Sequence, residues 1–250
     1  PSITLGGAVA TNAHGKSCGN DGTIRNSIKN ILIFYNKNGW LNLSENENKD
    51  IFNLTIGGIG LTGSIVNITL KLENLNNHTF ITNKQKVSSI KECVETIKNK
   101  SKKKNSFIYS WNMAGNINEL GKGYVFENLL SNDYSEKSKQ IPEKKKINIF
   151  KPNFPIWNKI SIKLFNKVFY FINNHINNNQ REDFTKVIFP FYGKEAYFDF
   201  FGKKGFYESQ LLISEDSIEE FFNEFKRLYK LYNPTISLFS FKNMSGDQNF

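Results

Sequence analysis

A chain of 250 residues with 39% hydrophobic and 14% aromatic content has material for one large or two smaller domains with real cores, which excludes a disordered or fibrous chain. Its 33 Lys and Arg against 23 Asp and Glu give a net charge of +10 carried almost wholly by lysine, Arg25, Arg181 and Arg227 being the only arginines. Base reading leans on arginine's bidentate fork, so this surplus speaks for a solvated lysine surface, an anionic ligand or a membrane surface rather than for sequence readout.

No run of 18 apolar residues occurs, so no membrane-spanning helix is expected. Cys18 and Cys93, far apart, build no disulfide framework, and His14, His78 and His175 are too scattered to complete a metal site with them. A reducing, cytoplasmic setting is expected.

In chain order, the first feature is the glycine-rich stretch over residues 6–22, in which residues 10–17 approximate an ATPase phosphate loop with Ala10 at the first glycine position. Such a loop needs a helix directly after its Lys-Ser pair. Here Lys16 and Ser17 are followed by Cys-Gly-Asn-Asp-Gly, which predicts turns. Residues 31–35 predict a strand. Gly58, Gly60 and Gly63 then spell G-x-G-x-x-G, which in a dinucleotide-binding fold opens a helix. The segment after Gly63 alternates Ile68, Leu70 and Leu72 with Thr69, Lys71 and Glu73, and predicts a strand. Both clusters are expected to lead from strand-like sequence into turns and strands, with little helix in residues 1–73. The backbone amides of such turns can still hold a nucleotide cofactor.

Beyond residue 74 the pattern changes. Val87, Ile90, Val94 and Ile97 share one helical face, and residues 107–111 and 124–126 predict strands. Over residues 149–172, Lys159, Lys163 and Lys167 accompany a broad apolar sector, a basic amphipathic helix that either packs on its own domain or lies on a lipid surface. Strands are expected at 207–213 and 236–241. Between them Ser217 and Glu220 predict a capping box ahead of Phe221, Phe222, Phe225, Leu228 and Tyr229. The order implies an α+β fold with an antiparallel sheet and helices on one face. The lysine runs at 98–104 and 144–146 lack interleaved aromatics and read as solvated loops.

With these pieces placed, the chain resembles the FAD-linked oxidases of the vanillyl-alcohol-oxidase (PCMH-type FAD-binding) superfamily, most closely the decaprenylphosphoryl-β-D-ribose 2′-oxidase group. The resemblance rests on GGAVATNAHGKS, IFNLTIGGIGLTGSIVNITLKLE, FIYSWN, LGKG, FPIWNKISIKLFNKVFYF, the aromatic stretch 189–206 and FYESQLLIS, in that order. It implies the second part of an FAD-binding domain over residues 1–74 and a substrate (cap) domain over 75–250. Because Pro1 opens almost inside a glycine turn, both ends are expected to be cut, leaving a fragment that holds FAD poorly alone.

The resemblance further implies non-covalent FAD along Gly6, Gly7, Thr11, Asn12, His14, Gly15, Gly58, Gly60, Gly63 and Ile65. It puts His14, Lys16 and Lys242 at the chemistry and Trp111, Tyr197, Gln210 and Lys242 on the substrate side. The implied reaction is oxidation of a secondary alcohol of a sugar, the 2′-hydroxyl of a polyprenyl-phosphate ribose, by hydride transfer to flavin N5. An epimerising short-chain reductase partner and peripheral contact with the inner face of the membrane would accompany it. At residues 197–199 the chain has Tyr-Phe-Asp where the family carries Trp-Asn-Arg, which leaves the sugar open. A sugar-1,4-lactone oxidase and, more remotely, a lysine-rich nucleic-acid-binding module stand as alternatives. Read without the resemblance, Trp111 suits core packing and Gln210 a satisfied core amide.

Overall fold

The computed structural model describes residues 3–37, 39–72, 79–101, 106–131, 154–175, 178–191 and 196–244. Residues 102–104 and 144–146 of the lysine runs, the boundary at residue 74, residues 149–153 and residues 192–195 of the aromatic stretch lie outside them. The chain divides into two compact units, one built mainly from Pro1–Asn76 and the other from Asn77–Lys103 and Ile108–Lys242.

In the first unit, strands β1 (Ile28–Tyr35), β2 (Gly39–Ser44) and β3 (Ser64–Leu70) form an antiparallel sheet in the order β2-β1-β3. Helices α1 (Leu5–Ala10), α2 (Cys18–Asp21) and α3 (Lys49–Thr55) accompany it. Its core gathers Val9 of α1, Ile28, Ile31 and Ile33 of β1, Leu43 of β2, and Phe52 and Ile56 from α3 and its end. Phe34 and Trp40, on the opposite sheet face, stay exposed and pair edge to face at 5.2 Å.

The first unit holds more helix than the sequence suggests. The segment before Gly58 is not strand-like: Phe52, Thr55 and Ile56 recur at helical spacing and turn inward together, the period of a helix rather than a strand. Gly6 and Gly7 lie within α1, and Lys16 and Ser17 lead into the single turn of α2 rather than into open turns. After Gly63 the chain does enter a strand, β3.

The second unit carries a five-stranded sheet in the order β7-β4-β6-β5-β8, from β4 (Thr79–Val87), β5 (Ser106–Met113), β6 (Gly123–Leu130), β7 (Gln180–Asp183) and β8 (Leu238–Phe239). Its long helices are α4 (Ile90–Lys100), α5 (Lys159–Asn174) and α8 (Ile218–Tyr232), with the short α6 (Phe184–Ile188) and α7 (Ala196–Asp199) between. Side chains alternate across the strands. Ile108 and Val125 pack with Cys93 and Ile97 of α4, whereas Trp111, Met113 and Tyr124 pack with Phe169 and Tyr170 of α5. Helices therefore cover both faces, not one, because α5 supplies a second aromatic layer.

Other expectations are corrected in the same way. Residues 207–213 form no strand; β7 and β8 take the edges of the sheet, and Tyr207, Leu211 and Leu212 are exposed. The capping box at Ser217 does not form. A 3-10 turn over Glu215–Ser217 holds Ser217 at φ −94°, ψ −1°, whereas a capping side chain reaches the helix amides from extended backbone, and its hydroxyl meets that of Ser214 at 3.0 Å. The reciprocal box occurs instead at α5, between Asn158 and Ser161. Lys98 and Lys100 belong to the last turn of α4, pairing with Glu215 and, at 2.9 Å, with buried Glu127.

Candidate functional site

In the first unit two glycine-rich segments some fifty residues apart in sequence become one surface. A helix leaves its last carbonyls without intrahelical partners. At the end of α1 the second glycine segment takes that role: Gly57 N–H donates to the Val9 carbonyl at 3.0 Å and Ile59 N–H to the Ala10 carbonyl at 2.9 Å. The Thr4 hydroxyl caps α1 by accepting from Gly7 N–H at 3.1 Å, and the Thr11 hydroxyl donates back to the Gly7 carbonyl at 2.8 Å. At the other end of the turn, the Thr62 and Thr55 hydroxyls meet at 2.8 Å, fastening residue 62 to α3.

Backbone conformation decides the residue types. Asn12 (φ +46°) and Gly57 (φ +86°) lie in left-handed regions side by side, and a Cβ on Gly57 would meet that of Asn12 at 3.3 Å. A Cβ on Gly58 would lie 2.0 Å from the Leu54 carbonyl oxygen, a separation no side chain tolerates. Ile59 adopts φ +51°, which is costly for a β-branched residue. Strain of this kind gathers at ligand-holding turns.

Within this surface the Asn12 side-chain oxygen is buried and has no hydrogen-bond partner. A buried amide acceptor left unpaired is costly, and the imide N–H or ribityl hydroxyls of a flavin are donors of the kind it lacks. The residues present therefore fit such a group. His14 makes an isolated antiparallel bridge with Thr23, its Nδ1 lies 3.3 Å from the Gly15 carbonyl, and both His14 and Lys16 are half-buried. Behind them the buried Cys18 thiol donates to the Asn243 carbonyl at 3.3 Å. Ile65, in β3, packs against the core of the first unit.

In the second unit, Trp111 and Tyr197 reach one aromatic seam. Trp111 is buried with its ring 4.2 Å from that of Phe169, Phe169 meets Phe165 at 6.1 Å, and Phe165 meets Tyr197 at 5.9 Å. Burial pushes the Tyr197 hydroxyl above its ordinary range, against a hydrogen bond with Ser237. The Trp157 indole closes the seam by donating to the Tyr197 carbonyl at 2.7 Å. Gln210 lies elsewhere, exposed and donating to Glu208 at 2.9 Å. Lys242 is exposed just after Phe241, whose backbone is hydrogen-bonded to Ser110.

Sequence reasoning misses the residues that knit these sites. Trp157, Phe165 and Phe169 lie in a stretch that carries the resemblance, yet a count of apolar positions does not say which rings meet. Also missed is a buried polar group under α4, where Asn112 donates to the Gly121 carbonyl at 2.7 Å and accepts from Ser110 and the Cys93 thiol. Its one signal is that Ser110 and Asn112 share the inward side of β5 with Ile108. Burial pushes the Cys93 thiol up, which disfavours its thiolate. Among the described residues no group of three or more His, Cys, Asp or Glu can hold a metal ion, and no helix is long and apolar enough to cross a membrane.

No protein-family model matches the chain. The chain is similar to the decaprenylphosphoryl-beta-D-ribose oxidase of Mycolicibacterium smegmatis, with 21% identity over 257 residues that cover 93% of this chain and 55% of that protein. It thus spans about half the length of that relative, and the relationship is distant but runs through nearly all of the chain.

Proposed function

We propose that the chain is part of an FAD-dependent oxidoreductase that oxidises a secondary alcohol of a sugar, the 2′-hydroxyl of a polyprenyl-phosphate ribose. The observation that carries this reading is the joining of the two glycine segments around the unpartnered Asn12 oxygen. The name of the distant relative supports the substrate class. Gly6, Gly7, Thr11, Asn12, His14 and Gly15 hold the cofactor from one segment, and Gly58, Gly60, Gly63 and Ile65 from the other. Bound there, the flavin supplies the two-electron acceptor for the carbinol carbon. His14 orients the reacting hydroxyl by a hydrogen bond. Lys16 stabilises the negative charge that grows as that proton leaves. In the second unit the resemblance assigns substrate contacts to Trp111, Tyr197, Gln210 and Lys242; Trp111 and Tyr197 reach one aromatic seam, whereas Gln210 lies apart from it.

The test is the visible spectrum of the full-length protein and its anaerobic bleaching by polyprenyl-phosphate ribose, with a sugar-1,4-lactone as the competing substrate. A yellow protein bleached by the lipid-linked sugar is expected. Asn12→Gly, which keeps the left-handed backbone, should weaken flavin binding about tenfold, the worth of one hydrogen bond. His14→Ala or Lys16→Ala should slow bleaching far more than it lowers flavin content. A colourless full-length protein would overturn the reading, and faster bleaching by the sugar-1,4-lactone would move it to the lactone oxidases.

A further inference from the structure

Helix α5 has two apolar faces, and the described residues of its own unit cover only one. Ile162, Phe165, Asn166 and Phe169 turn towards the sheet and the aromatic seam. Ile160, Leu164 and Phe171 follow one another along the opposite side and are 82%, 64% and 66% exposed, with Val168 and Ile172 beside them also exposed. At 100° per residue these three fall within a 40° sector, so they form a straight ridge pointing away from the core. Leaving such a ridge in water forfeits the burial each side chain could gain, and a contiguous exposed patch of this kind marks an interaction surface.

Charge identifies what the ridge meets. Lys159, Lys163 and Lys167, at i, i+4 and i+8, run along one flank of the ridge, all exposed, and no acidic residue occurs anywhere in α5. Lys159 and Lys163 also border an open cleft of about 500 Å³ shared with Asn116, Tyr229 and Asn233, room for a headgroup beside the ridge. An apolar ridge with a single-sign basic flank is complementary to a surface that is apolar within and anionic at its rim. The N-terminal capping box and the sheet packing hold the helix already formed, so little ordering entropy opposes docking.

We propose that α5 seats the protein on an anionic lipid bilayer, with Ile160, Leu164 and Phe171 entering the headgroup layer while Lys159, Lys163 and Lys167 pair with lipid phosphates. The inference is independent of the oxidoreductase reading, since it needs neither flavin nor sugar.

Co-sedimentation of the full-length protein with vesicles tests it, comparing pure phosphatidylcholine with equal parts phosphatidylcholine and phosphatidylglycerol. Strong binding to the anionic vesicles alone is expected. Lys159→Gln/Lys163→Gln/Lys167→Gln should lower that binding about a hundredfold, each lysine near such a surface contributing roughly tenfold or less, and the matching Lys→Arg variant should restore it. Leu164→Asp/Phe171→Asp, at exposed positions that leave the core untouched, should abolish it. Equal binding to both vesicle types, or full binding by the glutamine triple variant, would overturn the proposal. So would a concentration-dependent dimer, seen by sedimentation equilibrium, that Leu164→Asp/Phe171→Asp dissociates while the parent ignores vesicles; the ridge would then be a contact between copies.

Discussion

The first unit shapes its candidate site with backbone: Gly57 and Ile59 amides on the carbonyls of α1, left-handed residues at 12, 57 and 59, and an approach at Gly58 that leaves no room for a Cβ. The second unit shapes its own with rings, Trp111, Phe169, Phe165, Tyr197 and Trp157 packed edge and face along α5. The two means fail differently. A backbone-built surface is damaged by adding one carbon at a glycine, whereas a ring-built one is damaged by removing many atoms and is forgiving of exchange between rings of similar volume.

The largest effect is expected where rings dominate. Trp111→Ala removes a buried indole from between β5 and α5 and should cost about 4 kcal/mol, while Trp111→Phe should cost less than half as much. Urea unfolding followed by near-ultraviolet circular dichroism checks the pair. Equal losses in the two variants would mean that the indole is held for something other than packing.

The rings also set a pH limit on the second unit. Burial pushes both the Tyr109 and Tyr124 hydroxyls up to about 12 from an ordinary value near 10. Above pH 10 the unfolded chain releases protons that the folded one keeps, so the contribution of each is whole below pH 10 and is lost as pH rises towards 12. For Tyr109 that is on the order of 3 kcal/mol at the top of the window. Tyr109→Phe should flatten the fall in stability between pH 10 and 12; an unchanged profile would show the hydroxyl to be solvated.

In the first unit the corresponding change is Gly58→Ala. Its Cβ would meet the Leu54 carbonyl oxygen at 2.0 Å, so the turn must leave α3, at a cost of roughly 2 kcal/mol or more. Gly60→Ala, whose Cβ would meet nothing within 4 Å, bears only the strain of φ +79° and should cost about 1 kcal/mol. If the two variants lose the same amount, conformation and not close approach governs this turn.

Legibility in the sequence divides along the same line. Alternation locates β3 and the 3.6 period locates α4 and α8, because one face of each is buried, while short apolar and aromatic runs locate β5 and β6, which are buried on both faces. The second glycine segment is recognisable as a turn, but not that its Gly57 and Ile59 complete the end of α1, since a hydrogen bond across fifty residues leaves no local pattern. The resemblance assigns Asn12 to the cofactor, yet its unpaired oxygen is a property of packing. The apolar count in α5 cannot show that the helix divides between the sheet and an exposed ridge, because both sectors hold the same residue types. Ser217 misleads because a capping box depends on extended backbone, and the 3-10 turn before it removes that.

The smallest effect probes the strain itself. Ile59 is 77% exposed and holds φ +51°, so its side chain gains little from burial while its backbone bears a conformation that glycine adopts freely. The strain persists because the Ile59 amide is fixed to the Ala10 carbonyl and Gly57 and Gly60 on either side also have positive φ. Ile59→Gly should relieve it, partly offset by the greater freedom of glycine in the unfolded chain, for a net gain of about 0.5 kcal/mol. Trp40, the one tryptophan of this unit, reports the transition by fluorescence once Trp111 and Trp157 are replaced by Phe. Flavin affinity of the full-length variant then separates two origins of the strain. If stability rises and affinity is kept, Ile59 is a tolerated accident of sequence. A rise in stability with a loss of affinity means that the stiff, left-handed isoleucine holds the glycine turn in the conformation the cofactor needs.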